Sequence, residues 1–291
     1  GGGGGRRGAA GSGETPAGWV QGGAGAGLRD TSRGQRNGGL AVAYSFWQYQ
    51  QATGDLAFLT DHGLELMIEV SRFFASLATY DASADRYDID GVMGPDEFHD
   101  GSPSNPGMGL RNNAYTNVLT AWVLTRTAEA MDLVTDPDSQ GLLRRLHVTG
   151  PERARWDHVS RRLRVPFHPD GVISQFEGYE QLPEFDWPRY RDSYGDIGRL
   201  DLILHAEGDS PNNYKVSKQA DVLMLLYLFS AEELRSVLER LGYALPAEAV
   251  RDTVEFYLAR TSNGSTRSRL VQGWVMIRAD RARSWSLFTQ T

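Results

Sequence analysis

Apolar residues recur at helical spacing through most of the chain, and this periodicity constrains the fold more than any other sequence feature. No long run alternates between apolar and polar residues, so only residues 85–92 and 171–176 are predicted to be short strands. The fold class is therefore predicted to be mostly α. The predicted helices are residues 40–53, 61–77, 114–133, 151–163, 218–229, 231–241, 247–258, 269–279 and 282–288.

The predicted helices come in adjacent pairs, with short links within a pair and long polar loops between pairs. This arrangement is typical of a helical toroid or solenoid whose loops gather at one end. Residues 164–217 are predicted to be one such long loop, rich in proline, glycine and aromatic residues. About half of the 33 glycines lie before residue 40. Residues 1–34 are therefore predicted to be an irregular segment and residues 35–291 a folded domain.

Composition argues against several functional classes. The net charge is −7 with both signs interspersed, which disfavours a nucleic-acid surface. The chain has no cysteine, so disulfides and thiolate metal sites are absent. The longest apolar run, residues 222–229, is too short to cross a bilayer, and no signal peptide is visible. We expect a soluble, cytoplasmic protein without nucleic-acid or membrane partners.

Residues 90–117, DGVMGPDEFHDGSPSNPGMGLRNNAYTN, combine acids, amides and turn-forming residues in one loop that leads into an apolar helix. Loops held by a rigid scaffold often carry functional residues. We therefore predict a site for a polar ligand here. The alternative is that its aspartates and asparagines serve only as turn formers and helix caps.

Three polar segments each stand immediately before or at the start of an apolar helix: GPDEFH, SKQAD and TSNGSTRS. A helix start offers free backbone N–H donors and a positive potential, which suit an anion. If the three starts converge, Glu97 could supply a proton beside an anion site. The alternative is that each polar residue caps its own helix. The predicted anion ligands are Lys218, Gln219, Ser262, Asn263, Gly264 and Ser265.

The chain resembles the catalytic domain of glycoside hydrolase family 65, which includes maltose, trehalose, kojibiose and nigerose phosphorylases and some hydrolases. The resemblance covers about residue 35 to the C-terminus and implies an (α/α)6 barrel, in agreement with the paired helices. The matching segments, in the family's order, are AYSFWQYQQATGDLAFL, DIDGVMGPDEFHDG with NNAYTNVLTAWVL, FEGYEQLPEFDW, YKVSKQADVLMLLYLFS, TSNGSTRS and GWVMIRADRARSW.

The resemblance implies that Glu97 is the general acid and that the SKQAD and TSNGS segments bind phosphate. A carboxyl group can protonate a glycosidic oxygen as the bond breaks, and phosphate is itself the nucleophile, so no second carboxylate is needed. Trp47 is a further aromatic candidate, although helical spacing favours a core position for it. The residues expected to contact the sugar are Asp96, His99, Asn113, Tyr115, Thr116 and Trp187.

The implied reaction is inverting phosphorolysis of an α-linked glucose disaccharide to β-glucose 1-phosphate and a free sugar. Inorganic phosphate is the co-substrate, and no metal or organic cofactor is expected, because His99 has no second histidine at ligand spacing. A homodimer is left open. The sequence does not define the disaccharide or its linkage.

The chain departs from the family pattern at several places, including Gln272 and residues 35–37, where the family usually has a histidine. Asn263 stands where the family usually has a histidine, and an asparagine cannot carry positive charge. Residues 1–34 lack the Phe-Pro-Trp motif that lines the glucose subsite in the family, which predicts a barrel that is incomplete at its N-terminus. Two alternatives follow. The chain could hydrolyse its substrate with Glu177, Glu180 or Glu207 as base, or be an impaired remnant that only binds sugar.

Overall fold

A computed structural model describes residues 36–262, 266–277 and 285 of the chain. The predictions for residues 1–34 and for most of the last helix lie outside these residues. Within them the chain is mostly helical, as predicted. The helices are α1 Gly38–Thr53, α2 Leu56–Phe58, α3 Leu64–Leu77, α4 Ala114–Leu133, α5 Pro137–Arg145, α6 Gly150–Ser160, α7 Trp187–Tyr194, α8 Leu200–Ala206, α9 Asp221–Leu228, α10 Ala231–Arg240, α11 Ala247–Leu258 and α12 Thr266–Met276.

Helix α4 lies at the centre of the main apolar core. Its first eleven residues are all buried, and the helix contacts α1, α3, α6, α9 and α10. A helix that is apolar on all faces is expected to be surrounded by other elements. The part of residues 90–117 that precedes α4 is called the acid-rich loop. It leads directly into α4, so this helix supports the end of the loop.

The helix predicted at residues 61–77 begins earlier in the structure. Asp55 is the cap, because its side chain accepts a hydrogen bond from Phe58 N at 2.9 Å. The chain then runs through α2 and a π-helical turn at Leu59–Gly63 directly into α3. The helical region therefore begins earlier than the apolar stripe indicates.

Ser230 and Glu233 have the spacing of a capping box at the start of α10, and only half of the box forms. The Ser230 hydroxyl accepts from Glu233 N at 3.0 Å, but the Glu233 carboxylate accepts from Trp122 Nε1 at 2.8 Å instead of returning to the cap. This contact joins α10 to α4. A complete box is formed at the start of α6 by Thr149 and Glu152.

The strand predictions are confirmed only in part. Strands β1, Thr79–Asp81, and β2, Arg86–Asp88, form a two-stranded antiparallel sheet in which Tyr80 pairs with Tyr87. The strand predicted at residues 85–92 is thus shorter and has a partner that the sequence did not indicate. Residues 171–176 contain one isolated bridge, between Phe167 and Ile173, rather than a strand.

The loop predicted at residues 164–217 contains α7 and α8, so the prediction of a continuous loop is wrong. These helices form a second apolar cluster, distinct from the main core, which also includes Phe98 of the acid-rich loop. The acid-rich loop therefore packs against this second cluster through Phe98, and its C-terminal end continues into α4. The buried members of the cluster are Phe98, Phe185, Trp187, Tyr190, Ile197, Leu200, Leu204 and Val216.

Candidate active site

Residues 96–100 of the acid-rich loop are attached at both ends to the segment that leads into α9. At one end, the side-chain Nδ2 of Asn212 donates to Asp100 Oδ1 at 2.6 Å, and the side-chain Oδ1 of Asn212 accepts from Asp100 N at 3.1 Å. At the other end, Asp96 contacts the backbone of Lys218 and Gln219. These contacts cross more than 110 positions of sequence and fix the loop between them.

Asp96 is only 2% exposed, and both of its carboxylate oxygens accept hydrogen bonds. Oδ1 accepts from Lys218 N at 2.6 Å and from Gln219 N at 2.9 Å. Oδ2 accepts from Gln175 Nε2 at 3.1 Å. A buried carboxylate is tolerated when donors of this kind surround it. Asp96 therefore joins the GPDE segment to the SKQAD segment.

Asp221, the first residue of α9, is fully buried beside Asp96. Its Oδ1 accepts from Asp96 N, and its Oδ2 accepts from Asn113 Nδ2, both at 2.7 Å. Burial, followed by the nearby charge of Asp96, raises the pKa of Asp221 well above its ordinary value. A Cβ at Gly94 would lie 1.7 Å from Asp221 Oδ2, so this close approach requires glycine.

Glu97 has a backbone φ of 65°, which non-glycine residues rarely adopt and which costs on the order of 1 kcal/mol. Its neighbours Asp96 and Phe98 are buried, at 2% and 6% exposure, whereas its own side chain is 46% exposed. The Lys218 ammonium donates to Glu97 Oε2 at 2.9 Å. Glu97, the predicted proton donor, and Lys218, the cation predicted to bind phosphate, are thus in contact and accessible.

The segment that carries Lys218 also runs beside the start of the TSNGS segment. Ser217 forms a parallel bridge with Thr261, and Ser262 N donates to Ser217 O at 2.8 Å. Ser262 is partly buried, and its hydroxyl has no hydrogen-bond partner among the described residues. The structure therefore brings Glu97, Lys218 and Ser262 into one region. The other predicted phosphate ligands, Asn263, Gly264 and Ser265, lie outside the described residues.

Asn113 and Thr116 are buried at the start of α4, at 0% and 1% exposure. The Asn113 side chain accepts from Thr116 N and from Thr116 Oγ1, both at 3.0 Å. These are the contacts of a helix cap, which was the alternative given for the asparagines. Their contact with a sugar stays a prediction.

The other predicted sugar ligands are also buried. His99 is 2% exposed, and its Nε2 lies 3.1 Å from the backbone oxygen of Tyr214. Tyr115 is 5% exposed, and burial raises its pKa. Trp187 belongs to the second apolar cluster, and Trp47 belongs to the main core. The core position of Trp47 is the one that its helical spacing favoured.

The sequence interpretation missed Asp221 and Gln175 as site residues. Gln175 is fully buried and bridges the two acids: its amide donates to Asp96, and its Oε1 accepts from Asp221 N at 3.3 Å. Each had a weak sequence signal, since Asp221 ends the SKQAD segment and Gln175 interrupts a short apolar run. Neither signal indicates the partner.

The described residues contain neither a metal-binding cluster nor a membrane-spanning helix. Residues 36–262 and 266–277 contain no group of three or more histidine, aspartate or glutamate side chains arranged to hold a metal ion. In the same part of the chain, no helix has the length and apolar character needed to cross a bilayer.

The sequence matches a known family profile over nearly its whole length. Residues 9–291 match the central catalytic domain of glycosyl hydrolase family 65. This match agrees with the resemblance read from the motif segments.

Curated relatives share the same region. An uncharacterized glycosyl hydrolase of Mycobacterium tuberculosis is 56% identical over 252 residues, which are 87% of this chain and 19% of that protein. A trehalose 6-phosphate phosphorylase of Lactococcus lactis is 40% identical over 83% of this chain and 30% of its own length. A kojibiose phosphorylase of Halothermothrix orenii is 34% identical over 68% of this chain and 24% of its own. The chain thus spans less than a third of each relative.

A solved structure is similar in fold. A candidate kojibiose phosphorylase from the human microbiome superposes with a TM-score of 0.68 at 20% identity, covering 84% of this chain and 33% of that chain. This likeness shows the fold, a helical toroid, and confirms the predicted fold class.

Proposed function

The chain belongs to glycosyl hydrolase family 65, and from this premise we propose that it catalyses the inverting phosphorolysis of an α-linked glucose disaccharide of the maltose, trehalose or kojibiose type. The products are β-glucose 1-phosphate and a free sugar. The observation that carries the proposal is the 2.9 Å contact between Glu97 and Lys218, which places a carboxyl group beside a cation at an accessible position.

In the proposed reaction, Glu97 gives its proton to the glycosidic oxygen as the bond from that oxygen to the glucose C1 breaks. An oxygen of hydrogen phosphate forms the new bond to C1 from the opposite face, which inverts the anomeric configuration. The proton that phosphate loses replaces the one that Glu97 gave. Lys218 neutralises the phosphate charge, and its flexible stem allows it to leave Glu97 when substrate binds.

Phosphate needs positioning more than activation, because it is already anionic near neutral pH. Lys218 and Gln219, together with Ser262 and residues 263–265, are proposed to supply the cation, hydroxyl and backbone donors. Several relatives are named as phosphorylases of α-glucosides, including trehalose 6-phosphate, kojibiose and maltose phosphorylases, which supports phosphorolysis over hydrolysis.

The contacts of the three acids considered for hydrolysis do not favour a water-activating base. Glu177 is paired with Arg111 at 3.3 Å and accepts from Asn112 at 2.7 Å. Glu207 accepts from the hydroxyls of Tyr190 and Tyr194, which lowers its pKa, whereas an effective base has a pKa near the working pH.

The third acid, Glu180, accepts a hydrogen bond from Ser174 Oγ at 3.2 Å. Hydrolysis would instead be seen as free glucose formed without phosphate.

The test is a phosphate-dependence assay with the full-length protein and a panel of maltose, trehalose, trehalose 6-phosphate and kojibiose. One sugar is expected to be consumed only when phosphate is present, with the β anomer of glucose 1-phosphate detected by NMR. Glu97→Gln is expected to abolish the reaction while circular dichroism shows a folded protein. Glu239→Gln, at an exposed position on α10, is the matched control and should retain activity.

Two results would contradict the proposal. Free glucose formed without phosphate would assign hydrolysis. Binding of a sugar without turnover, measured by calorimetry on the wild-type protein, would assign an impaired enzyme.

A further inference from the structure

We propose that Asp96 is the positioning residue of this site. Its carboxylate fixes the position of Glu97 relative to Lys218 and does not bind sugar. The inference rests on the function proposed above. It replaces the sugar contact that the sequence predicted for Asp96 with a role carried out through two other residues.

The contacts of Asp96 close a ring. Asp96 Oδ1 accepts from the backbone N–H of Lys218 at 2.6 Å, and the ammonium of the same lysine donates to Glu97 Oε2 at 2.9 Å. Glu97 follows Asp96 directly in the chain. Asp96 therefore sets the distance between Glu97, the proton donor, and Lys218, the cation that binds phosphate. Its carboxylate binds the Lys218 backbone, and Glu97 is the next residue in the chain.

Asp96 is suited to this role because it is buried and its oxygens are occupied. At 2% exposure, with three protein donors on its carboxylate, it has little surface to offer a sugar hydroxyl. Burial and the nearby Asp96 raise the pKa of its neighbour Asp221. The two backbone N–H groups and the Gln175 amide all donate to the Asp96 carboxylate, which stabilises it in this buried position.

Glu97 needs such an anchor. Its positive φ is unfavourable for a side chain of this size, and a loop free to relax would move to a more populated conformation. Asp96 on one side and Phe98 on the other are the buried residues that hold it. Loss of the Asp96 contacts would therefore move the Glu97 carboxyl group relative to Lys218.

The expected kinetic result is a loss of turnover rather than of sugar affinity. In the full-length protein, Asp96→Ala should lower kcat about 100-fold, the scale expected for a displacement near 1 Å, with the sugar KM unchanged. Asp96→Asn keeps an oxygen for the Lys218 and Gln219 N–H groups and should recover part of the loss.

Asp100→Asn is the matched control. It removes a charge from the same loop but keeps an oxygen that can accept from Asn212 Nδ2 and Gly107 N, so the second attachment of the loop is retained. This variant should retain wild-type kcat. A rise in sugar KM with unchanged kcat in Asp96→Ala would make Asp96 a sugar ligand and overturn the inference. Equal losses in Asp96→Asn and Asp100→Asn would overturn it as well.

A second measurement does not depend on turnover, so failure of the proposed function remains distinguishable. If the wild-type protein shows no phosphorolysis, NMR of protein labelled at the glutamate carboxyl carbons reports directly on the Glu97 carboxyl group. Asp96→Asn should shift the Glu97 carboxyl signal and the amide signals of Lys218 and Gln219, because the hydrogen bonds that fix these groups are weakened. Unchanged carboxyl and amide signals would refute the positioning role.

Discussion

The ammonium of Lys218 lies 2.9 Å from the carboxylate of Glu97, although the two residues are 121 positions apart in the chain. If Lys218 binds phosphate and Glu97 donates the proton, then phosphate and Glu97 compete for the same cation. A partly exposed ion pair of this kind is weak, so an incoming dianion can displace it.

We expect Glu97→Gln to bind phosphate more tightly than the wild-type protein, because the variant removes the negative charge that competes for Lys218. An exposed pair contributes about 0.2–1 kcal/mol, which corresponds to a gain of roughly 1.4- to 5-fold. Calorimetric titration with inorganic phosphate measures it, and Glu239→Gln serves as the control. Weaker binding by Glu97→Gln would show that phosphate does not displace Glu97 from the lysine.

Asp221 should make the stability of the protein depend on pH. Its pKa is raised in the folded state, so its stabilising contribution is complete below the unfolded value and declines as the pH rises through the folded pKa. Asp221→Asn lacks this titration. The unfolding free energy of the variant relative to wild type should therefore increase with pH, as measured by urea denaturation at several pH values. A pH-independent difference would mean that the pKa of Asp221 is not raised.

Gly94→Ala should disrupt the acid-rich loop. The added Cβ would lie 1.7 Å from Asp221 Oδ2 and 2.8 Å from Asn113 Nδ2, both on buried side chains, so the loop must shift. Phosphorolysis should fall by about 100-fold or more, since the shift moves Glu97. Gly141→Ala, whose Cβ would meet nothing closer than 4.0 Å, should instead stabilise α5 by about 0.5–1 kcal/mol. Equal behaviour of the two variants would contradict this reading of Gly94.

Asn112→Ala should destabilise the protein by about 3 kcal/mol without changing phosphate binding. The fully buried Asn112 donates to Asp88 at 2.8 Å and to Glu177 at 2.7 Å, and its Oδ1 accepts from Ile89 N at 3.2 Å. Alanine would remove these three bonds and leave the Ile89 N–H without its acceptor. Asn213→Ala, which loses the single contact with Asp209, should cost about 1 kcal/mol. Chemical denaturation of both variants compares them.

The sequence predicted elements best where the start of the helix carries its own local signal. Residues 114–133 and 247–258 match α4 and α11 at both ends, because Asn113 caps the first and Pro246 opens the second. Helices α7 and α8 are not evident from the sequence because they span only about two turns each, so their stability comes from packing in the second apolar cluster rather than from a long periodic apolar face.

The site was predictable only as far as its segments. The GPDE and SKQAD segments stood out as polar clusters at helix starts, and the structure joins them. The burial of Asp96 against Asp221 depends on a contact across 125 positions, which no local pattern encodes. For the same reason Asp96 was predicted as a sugar ligand, since its type and position match those of an exposed loop acid.

The hydrogen bonds of Asp96 have a consequence for exchanging this loop between related proteins. Two of its three bonds are to main-chain N–H groups, which almost any residue at positions 218 and 219 would supply. Side chains that hold the loop come from Gln175, Asp221 and Asn212. A loop transplanted from a distant homologue should therefore adopt the same position wherever these three residues are retained.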